Sequence, residues 1–317
     1  MIADFFKWLI SIFIALFSAA PVAVSTFMPS AAPTEIATMS VTQIPEITPT
    51  PTQIATAIPT LAPTPKPTPI QSGPTVKPTT APIINNVPPN TGFAKQSVQT
   101  DTGVFSVSII SADIGSTRVI IDTASTSDCG SNCPALSLSD YISRNGGFAG
   151  VNGTYFCPKD YPSCAGKENT FDLLVMNKGK YYFNSANNVY STNPAVIFGS
   201  GYVRFVSAGS QWGRDTGVNG VLMNYPLLVS SGNVSFGGDS DPKKGSVGNR
   251  SFVANRGNTV YIGVVHSATV AESARVMKAL SMDNALNLDS GGSTALWYGG
   301  YKVGPGRAIP NAIIFVR

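Results

Sequence analysis

The chain is 317 residues long, with 21 Lys plus Arg against 17 Asp plus Glu and a formal net charge of +4. Charged residues are only 12% of the composition and form no basic stripe, which argues against nucleic acid as a partner. Four Cys and a single His lack the spacing of the common zinc frameworks, so neither a metal nor a cofactor is expected.

Residues 1–30 contain WLISIFIALF and stay uncharged from Trp8 to Met28. An apolar run of about 20 residues is long enough to cross a bilayer as a helix, and its first part equally fits the apolar core of a secretory signal peptide. Either way the chain is expected to be exported, anchored in a membrane through this segment or secreted. Residues 31–95 follow as a Pro/Thr-rich linker, with TPTPTQIATAIPTLAPTPKPTPIQSGPTVKPTTAP as its body. Such a composition cannot bury a core, and an extended run of this length reaches roughly 190 Å. A disordered stalk is the expectation.

The folded domain is expected over residues 96–317. Strand-like runs dominate it, at 104–110, 118–122, 173–176, 202–206, 252–255, 260–265, 285–288, 295–298 and 312–316. MNKGKYYF and VSSGNVSF read as hairpins, each turning at its Gly. Two helices are predicted. One covers 138–145, with Ser137 as N-cap and Gly146 just past its end. The other covers 270–280, opened by TVAE, a Thr-x-x-Glu capping box. Many strands with two main helices point to a single strand-rich α+β domain with mixed sheets. Cys129, Cys133, Cys157 and Cys164 all lie in it, and an even count in an exported chain predicts disulfides. Three pairings are possible; the local pairs Cys129–Cys133 and Cys157–Cys164 are favoured.

The stretch NLDSGGST, residues 287–294, contains the Asp-Ser-Gly-Gly with which trypsin-like proteases present their nucleophile. A serine triad needs a base, and the only His, His266, lies shortly before Ser290 rather than far upstream with an Asp between. No Gly-x-Ser-x-Gly elbow occurs elsewhere. The protease reading is rejected.

A second resemblance spans nearly the whole domain. SLSDYISRNGGFAGVNGTYF, FDLLVMNKGK, NYPLLVSSGNV, GNRSFVANRGNTVYIGVV, AESARVMKALSMDNALNLDSGGSTALW and RAIPNAIIFV follow one another in an order and spacing similar to the phosphodiester glycosidase family. That family includes the Golgi enzyme that removes N-acetylglucosamine from a phosphodiester to uncover mannose 6-phosphate, and many bacterial exported proteins. Departures from its usual forms are Ser290 in place of a Gly, Thr154 in place of the second Gly of Asn-Gly-Gly, and Ser251-Phe-Val in place of Thr-Ala-Ile. His266-Ser267 replaces a common Asp-Gly before a longer loop.

The resemblance implies cleavage between a sugar's anomeric carbon and a phosphate. A phosphate monoester, with a second pKa near ~6, is already a good leaving group. The chemistry then needs a carboxylate facing an oxocarbenium-like centre and cationic groups on the phosphate. Asp289, at the end of a strand and exposed by a Gly-Gly turn, is the expected nucleophile or base. An Asp capping its own turn is the structural alternative. Arg250 is the expected phosphate clamp, because a planar guanidinium matches phosphate oxygens. Asn152 and Gly153 of the first turn, with Asn287, Gly291, Gly292 and Ser293 of the second, are expected to bind substrate. His266 is a candidate proton carrier or phosphate ligand, and a lone His is also common as packed structure. Glu272 aligns with a Glu frequent in the family, though its capping-box position explains it fully. Tyr155, Phe156, Trp297 and Tyr298 could stack on a sugar or belong to the core.

The expected function is an exported hydrolase of sugar-1-phosphodiesters in envelope or extracellular glycans, its partners being a glycan or phosphoglycan and the membrane. The rivals are a non-catalytic glycan-binding module and a transglycosylating or trimming factor in exopolysaccharide assembly.

Overall fold

In the computed structural model the described residues are 83–188 and 190–317. The expected membrane segment at 1–30 and most of the linker lie outside them. No helix among the described residues is long and apolar enough to cross a membrane.

The first strand is Gly92–Gln99, which opens ahead of the boundary expected at 96. Its sequence, GFAKQSVQ, is polar on one side because it edges its sheet, pairing along one flank with Val104–Asp113 and on the other only through a bridge between Ile84 and Ser97. From there the order is Thr259–Ala268, Gly248–Arg256, Asn284–Asn287, Leu227–Ser230 and Asn233–Val234, seven strands in all. A second sheet orders Tyr301–Val303, Leu296–Tyr298, Ala149–Asn152, Asn311–Val316 and Arg118–Thr123. A third orders Tyr182–Phe183, Val175–Met176, Gly220–Met223, Ala195–Gly199 and Tyr202–Val206.

The mixed sheets expected from the sequence are replaced by antiparallel ones, since every pair of named strands among the described residues is antiparallel. Some antiparallel pairs, such as Asn311–Val316 with Arg118–Thr123, join distant parts of the chain. Short connections account for the hairpin pairs, such as Gly248–Arg256 with Thr259–Ala268, because a parallel neighbour needs a crossover of a dozen or more residues. The turn between Leu227–Ser230 and Asn233–Val234 shows this, with Ser231 and Gly232 both at positive φ, 48° and 75°. In the other predicted hairpin the left-handed residue is Lys180, at φ 66°, not Gly179. The Asn177 carboxamide accepts from the Gly179 and Tyr181 N–H groups at 2.9 and 3.1 Å and shapes that turn instead.

The main core lies where the three sheets meet. Ile110, Ile262 and Leu286 of the first sheet pack with Ile121, Val151 and Ile313 of the second and Val196, Phe198 and Leu222 of the third. Each sheet also has a covered back. Helix Leu138–Asn145 puts Leu138, Tyr141 and Ile142 on Ile120, Ala312 and Ile314. Helix Val270–Ala279 puts Ala274, Val276 and Met277 on Ile109, Phe252 and Ala254. Strands such as Asn311–Val316 are therefore buried on both faces and read as continuous apolar runs.

Both helices begin as their sequences predict. Ser137 and Asp140 close one capping box, Thr269 and Glu272 the other, and Gly146 ends the first helix in the left-handed conformation. The disulfides are Cys129–Cys133 and Cys157–Cys164, and no free Cys remains. Such pairs point to an oxidising, extracytoplasmic setting.

Candidate active site

Strands Ala149–Asn152, Gly248–Arg256 and Asn284–Asn287 end close together, and four buried asparagines fix the turns that follow. Asn152, fully buried, donates to the Asp289 carbonyl at 2.6 Å and accepts from the Ser251 hydroxyl at 2.8 Å and the Ala295 N–H at 3.1 Å. It thereby clamps the first sheet to the second. Asn224 accepts from the Tyr155 N–H at 3.0 Å and donates to the Asn287 carbonyl at 2.7 Å. Asn311 accepts from the Thr154 N–H at 3.0 Å and packs against Gly153, where any side chain would run into its carboxamide. Asn287 donates to the Tyr155 phenol at 2.7 Å and to the Tyr225 carbonyl at 3.1 Å.

Above this floor is a cavity of about 300 Å³. Its walls come from the loop closed by Cys157–Cys164, which carries Pro158 and Tyr161, and from residues 241–246. Asp289, Ser290, Gly291 and Ser293 line it together with Arg250, Asp172, Tyr155 and Tyr225.

Asp289 is set by its backbone: its N–H donates to the Gly153 carbonyl at 2.9 Å. Its Oδ1 accepts from the Ser290 N–H at 2.8 Å. Burial pushes its carboxyl up to about 6, against the opposing pull of the Ser293 hydroxyl, the Ser290 N–H and the Arg307 charge. The Ser290 hydroxyl donates back to the Leu288 carbonyl at 3.2 Å, which places it in the turn rather than beside a base.

Arg250 lines the cavity, but most of its guanidinium braces the wall. Nε donates to the Ala268 carbonyl at 3.0 Å, and Nη2 donates to the Lys243 carbonyl at 3.1 Å and to the Ser246 carbonyl and hydroxyl. Among the described residues Nη1 has no hydrogen-bond partner, so a substrate would meet one nitrogen of Arg250 and not its fork. Lys244 is paired with Asp239 and, at 3.6 Å, with Asp241. Lys243 makes no ion pair among the described residues and sits over the Tyr161 ring at 5.2 Å. The cationic side of the cavity is thus Arg250 with Lys243.

The Tyr155 phenol accepts from Asn287, which leaves its own hydrogen to donate into the cavity. Burial and the nearby Asp289 charge push its pKa up, so it stays a proton-bearing donor. Arg307, in the segment RAIPNAIIFV, carries no local sequence signal of its place beside the site. Its guanidinium packs on Gly292, where a side chain would collide with it, and lies 5.4 Å from the Tyr161 ring. Its Nε and Nη1 are buried without hydrogen-bond partners among the described residues.

Several expected site residues are placed elsewhere. His266 bonds Ser108 Oγ at 2.9 Å and Asn249 Oδ1 at 3.3 Å and does not line the cavity. Burial pushes its pKa down, as for a packed neutral imidazole. Glu272 accepts from the Thr269 N–H at 2.7 Å, completing the helix cap, away from the cavity lining. Asn152 and Asn287 hold the site from below, Gly153 and Gly292 allow close approach, and Gly291 and Ser293 face the cavity. Trp297 packs edge-on to Tyr301 and Tyr298 packs near Phe93, whereas Tyr155 and Phe156 do line the cavity.

Residues 145–316 match the sequence profile of the family described as phosphodiester glycosidase. The chain belongs to the phosphodiester glycosidase family. Among solved structures it is similar to the catalytic domain of zebrafish N-acetylglucosamine-1-phosphodiester alpha-N-acetylglucosaminidase, auto-inhibited by its pro-peptide. That similarity has a TM-score of 0.55 at 14% identity, over 71% of this chain and 82% of that one. A hypothetical protein from Synechocystis gives 0.51 at 15% identity over 71% of this chain. The chain spans 62% of the Synechocystis protein's length. At these identities the likeness is one of fold. No curated protein sequence matches. The family match agrees with the resemblance carried by the chain's motifs.

Proposed function

We propose that the protein hydrolyses a sugar-1-phosphodiester bond in extracytoplasmic glycans. Asp289 faces the anomeric carbon as nucleophile or base, and Arg250 Nη1 with Lys243 takes the phosphate. The observation that supports this most is the sharing of one cavity by the partly shielded Asp289 carboxylate, Arg250, Lys243, Tyr155 and Tyr161. A volume of about 300 Å³ lies at the small end of ligand sites, suited to one sugar and its phosphate. The phosphate departs as a stabilised anion and the developing positive charge on the sugar meets the Asp289 carboxylate. Tyr155 and Tyr161 offer a hydrogen-bond donor and an aromatic face to the sugar.

The test is a panel of hexose and N-acetylhexosamine 1-(methyl phosphate) diesters incubated with the full chain. The expected products are free sugar and methyl phosphate. Binding of the sugars with no release from any diester would replace the enzyme with a glycan-binding module.

A further inference from the structure

Three carboxylates line the cavity, and their surroundings separate them. Asp289 is held by the Ser290 N–H. Asp241 caps the one-turn helix Pro242–Gly245, accepting from the Lys243 N–H at 2.9 Å, and pairs with Lys244. Asp172 has neither: among the described residues its carboxylate has no hydrogen bond or ion pair. Its backbone is nonetheless fixed. The Asp172 N–H donates to the Tyr155 carbonyl at 3.2 Å, Phe171 bridges to Phe156 and stacks on Phe183, and Leu173 and Leu174 are buried behind it.

Asp172 also stands at a junction. It and Tyr225 line both the cavity and a second, more open groove of about 830 Å³. Asp289 and its glycine turn line only the first. One carboxylate therefore sits at the floor, held by fixed donors, and the other where the cavity opens to water. Asp172 is exposed on this fixed backbone; a carboxylate with no internal partner contributes nothing evident to the fold, and a solvated rim Asp is the structural alternative. Although Asp172 is exposed, partial shielding at the cavity mouth raises its carboxyl's pKa, with Lys243 opposing.

We propose that Asp172 is the base that activates water in a two-step hydrolysis in which Asp289 is the nucleophile. The inference rests on the sugar-1-phosphodiester reading above. In the first step an Asp289 oxygen bonds to the anomeric carbon while the bond from that carbon to the phosphate oxygen breaks. The electron pair leaves on the phosphate, and no proton moves. In the second step a water oxygen bonds to the anomeric carbon and the ester to Asp289 breaks, regenerating the carboxylate. The water's proton passes to Asp172 and on to solvent through the open groove. Two carboxylates in these roles predict retention of anomeric configuration.

The two steps make the test selective. In Asp172→Asn the phosphate still leaves unaided, so quenched-flow sampling should show about one equivalent of phosphate monoester per enzyme at the wild-type rate. Steady turnover should then fall by about 100-fold or more. Mass measurement of the quenched variant should find one glycosyl group on the peptide containing Asp289. Asp172→Glu should recover part of the steady rate, and melting curves should match wild type for both variants. Wild-type turnover in Asp172→Asn, or a loss equal in both phases without an adduct, would overturn the assignment while leaving the proposed function standing. A wild-type protein that cleaves no diester would end both.

Discussion

Two inward-facing carboxylates, Asp122 and Asp289, meet opposite treatment from their neighbours. Asp122 lies on strand Arg118–Thr123 and is 3% exposed. Arg144 Nε and Asn145 Nδ2 from the adjoining helix both donate to its Oδ2 at 2.6 Å, and Lys178 Nζ lies 3.3 Å away. Burial alone would raise its pKa, but these donors and charges bring it below the ordinary value. Asp289 is only partly shielded from water, yet against a short turn bond, a serine hydroxyl and the Arg307 charge burial still wins. The first arrangement is what a fold does with a carboxylate it uses as a joint. The second holds a charge in readiness with less compensation than stability alone would select.

The largest break in that comparison should be in activity. Asp289→Asn keeps an acceptor for the Ser290 N–H but loses the charge, and sugar release should fall by a factor on the order of 10³ or more. Ser290→Ala should retain activity of the wild-type order, because its hydroxyl bonds only a backbone carbonyl. An inactive, folded Ser290→Ala beside an active Asp289→Asn would return the serine to the role its neighbours first suggest.

Asp122→Asn should do the reverse, leaving activity intact and costing stability of about 1–3 kcal/mol at neutral pH. Because the folded pKa of Asp122 is depressed, its contribution is present above the unfolded value near about 4 and is lost as pH falls through the folded value. Denaturant melts of wild type and variant should therefore converge in acid. Equal stabilities at neutral pH would show that Asp122 is no joint.

The same contrast explains what the sequence made legible. Helix ends were readable because caps are local: Ser137, Gly146, Thr269 and Glu272 act on residues within one turn of themselves. Strand Tyr202–Val206 was readable from its β-branched and aromatic run, and the Asp289 turn from its glycines. The asparagine floor was not. Asn152-Gly153 looks like an ordinary turn until Ser251 and Ala295 are found bonded to the Asn152 side chain from distant parts of the chain. Arg250 looks like a free fork in sequence, where nothing indicates that residues 243–246 fold back to receive it. Asp172 is the one charged residue in the apolar run FDLLVM, and nothing local in that run marks it as part of a site. The walls, from residues 157–164 and 241–246, have no periodicity and are placed by a disulfide and by Asp241's cap.

The measurement that tests the contrast most directly is the pH dependence of stability in wild type and Asp289→Asn. With a folded pKa of about 6 against an unfolded value near about 4, native Asp289 holds a proton that the unfolded chain has lost. Wild type should gain stability as pH falls between those values, and above the higher one the buried charge is a liability. The neutral Asn variant should therefore melt above wild type at about pH 8, with the gap closing as pH approaches about 4. An Asn variant less stable than wild type at about pH 8, as predicted for Asp122→Asn, would make Asp289 a structural carboxylate and contradict the account.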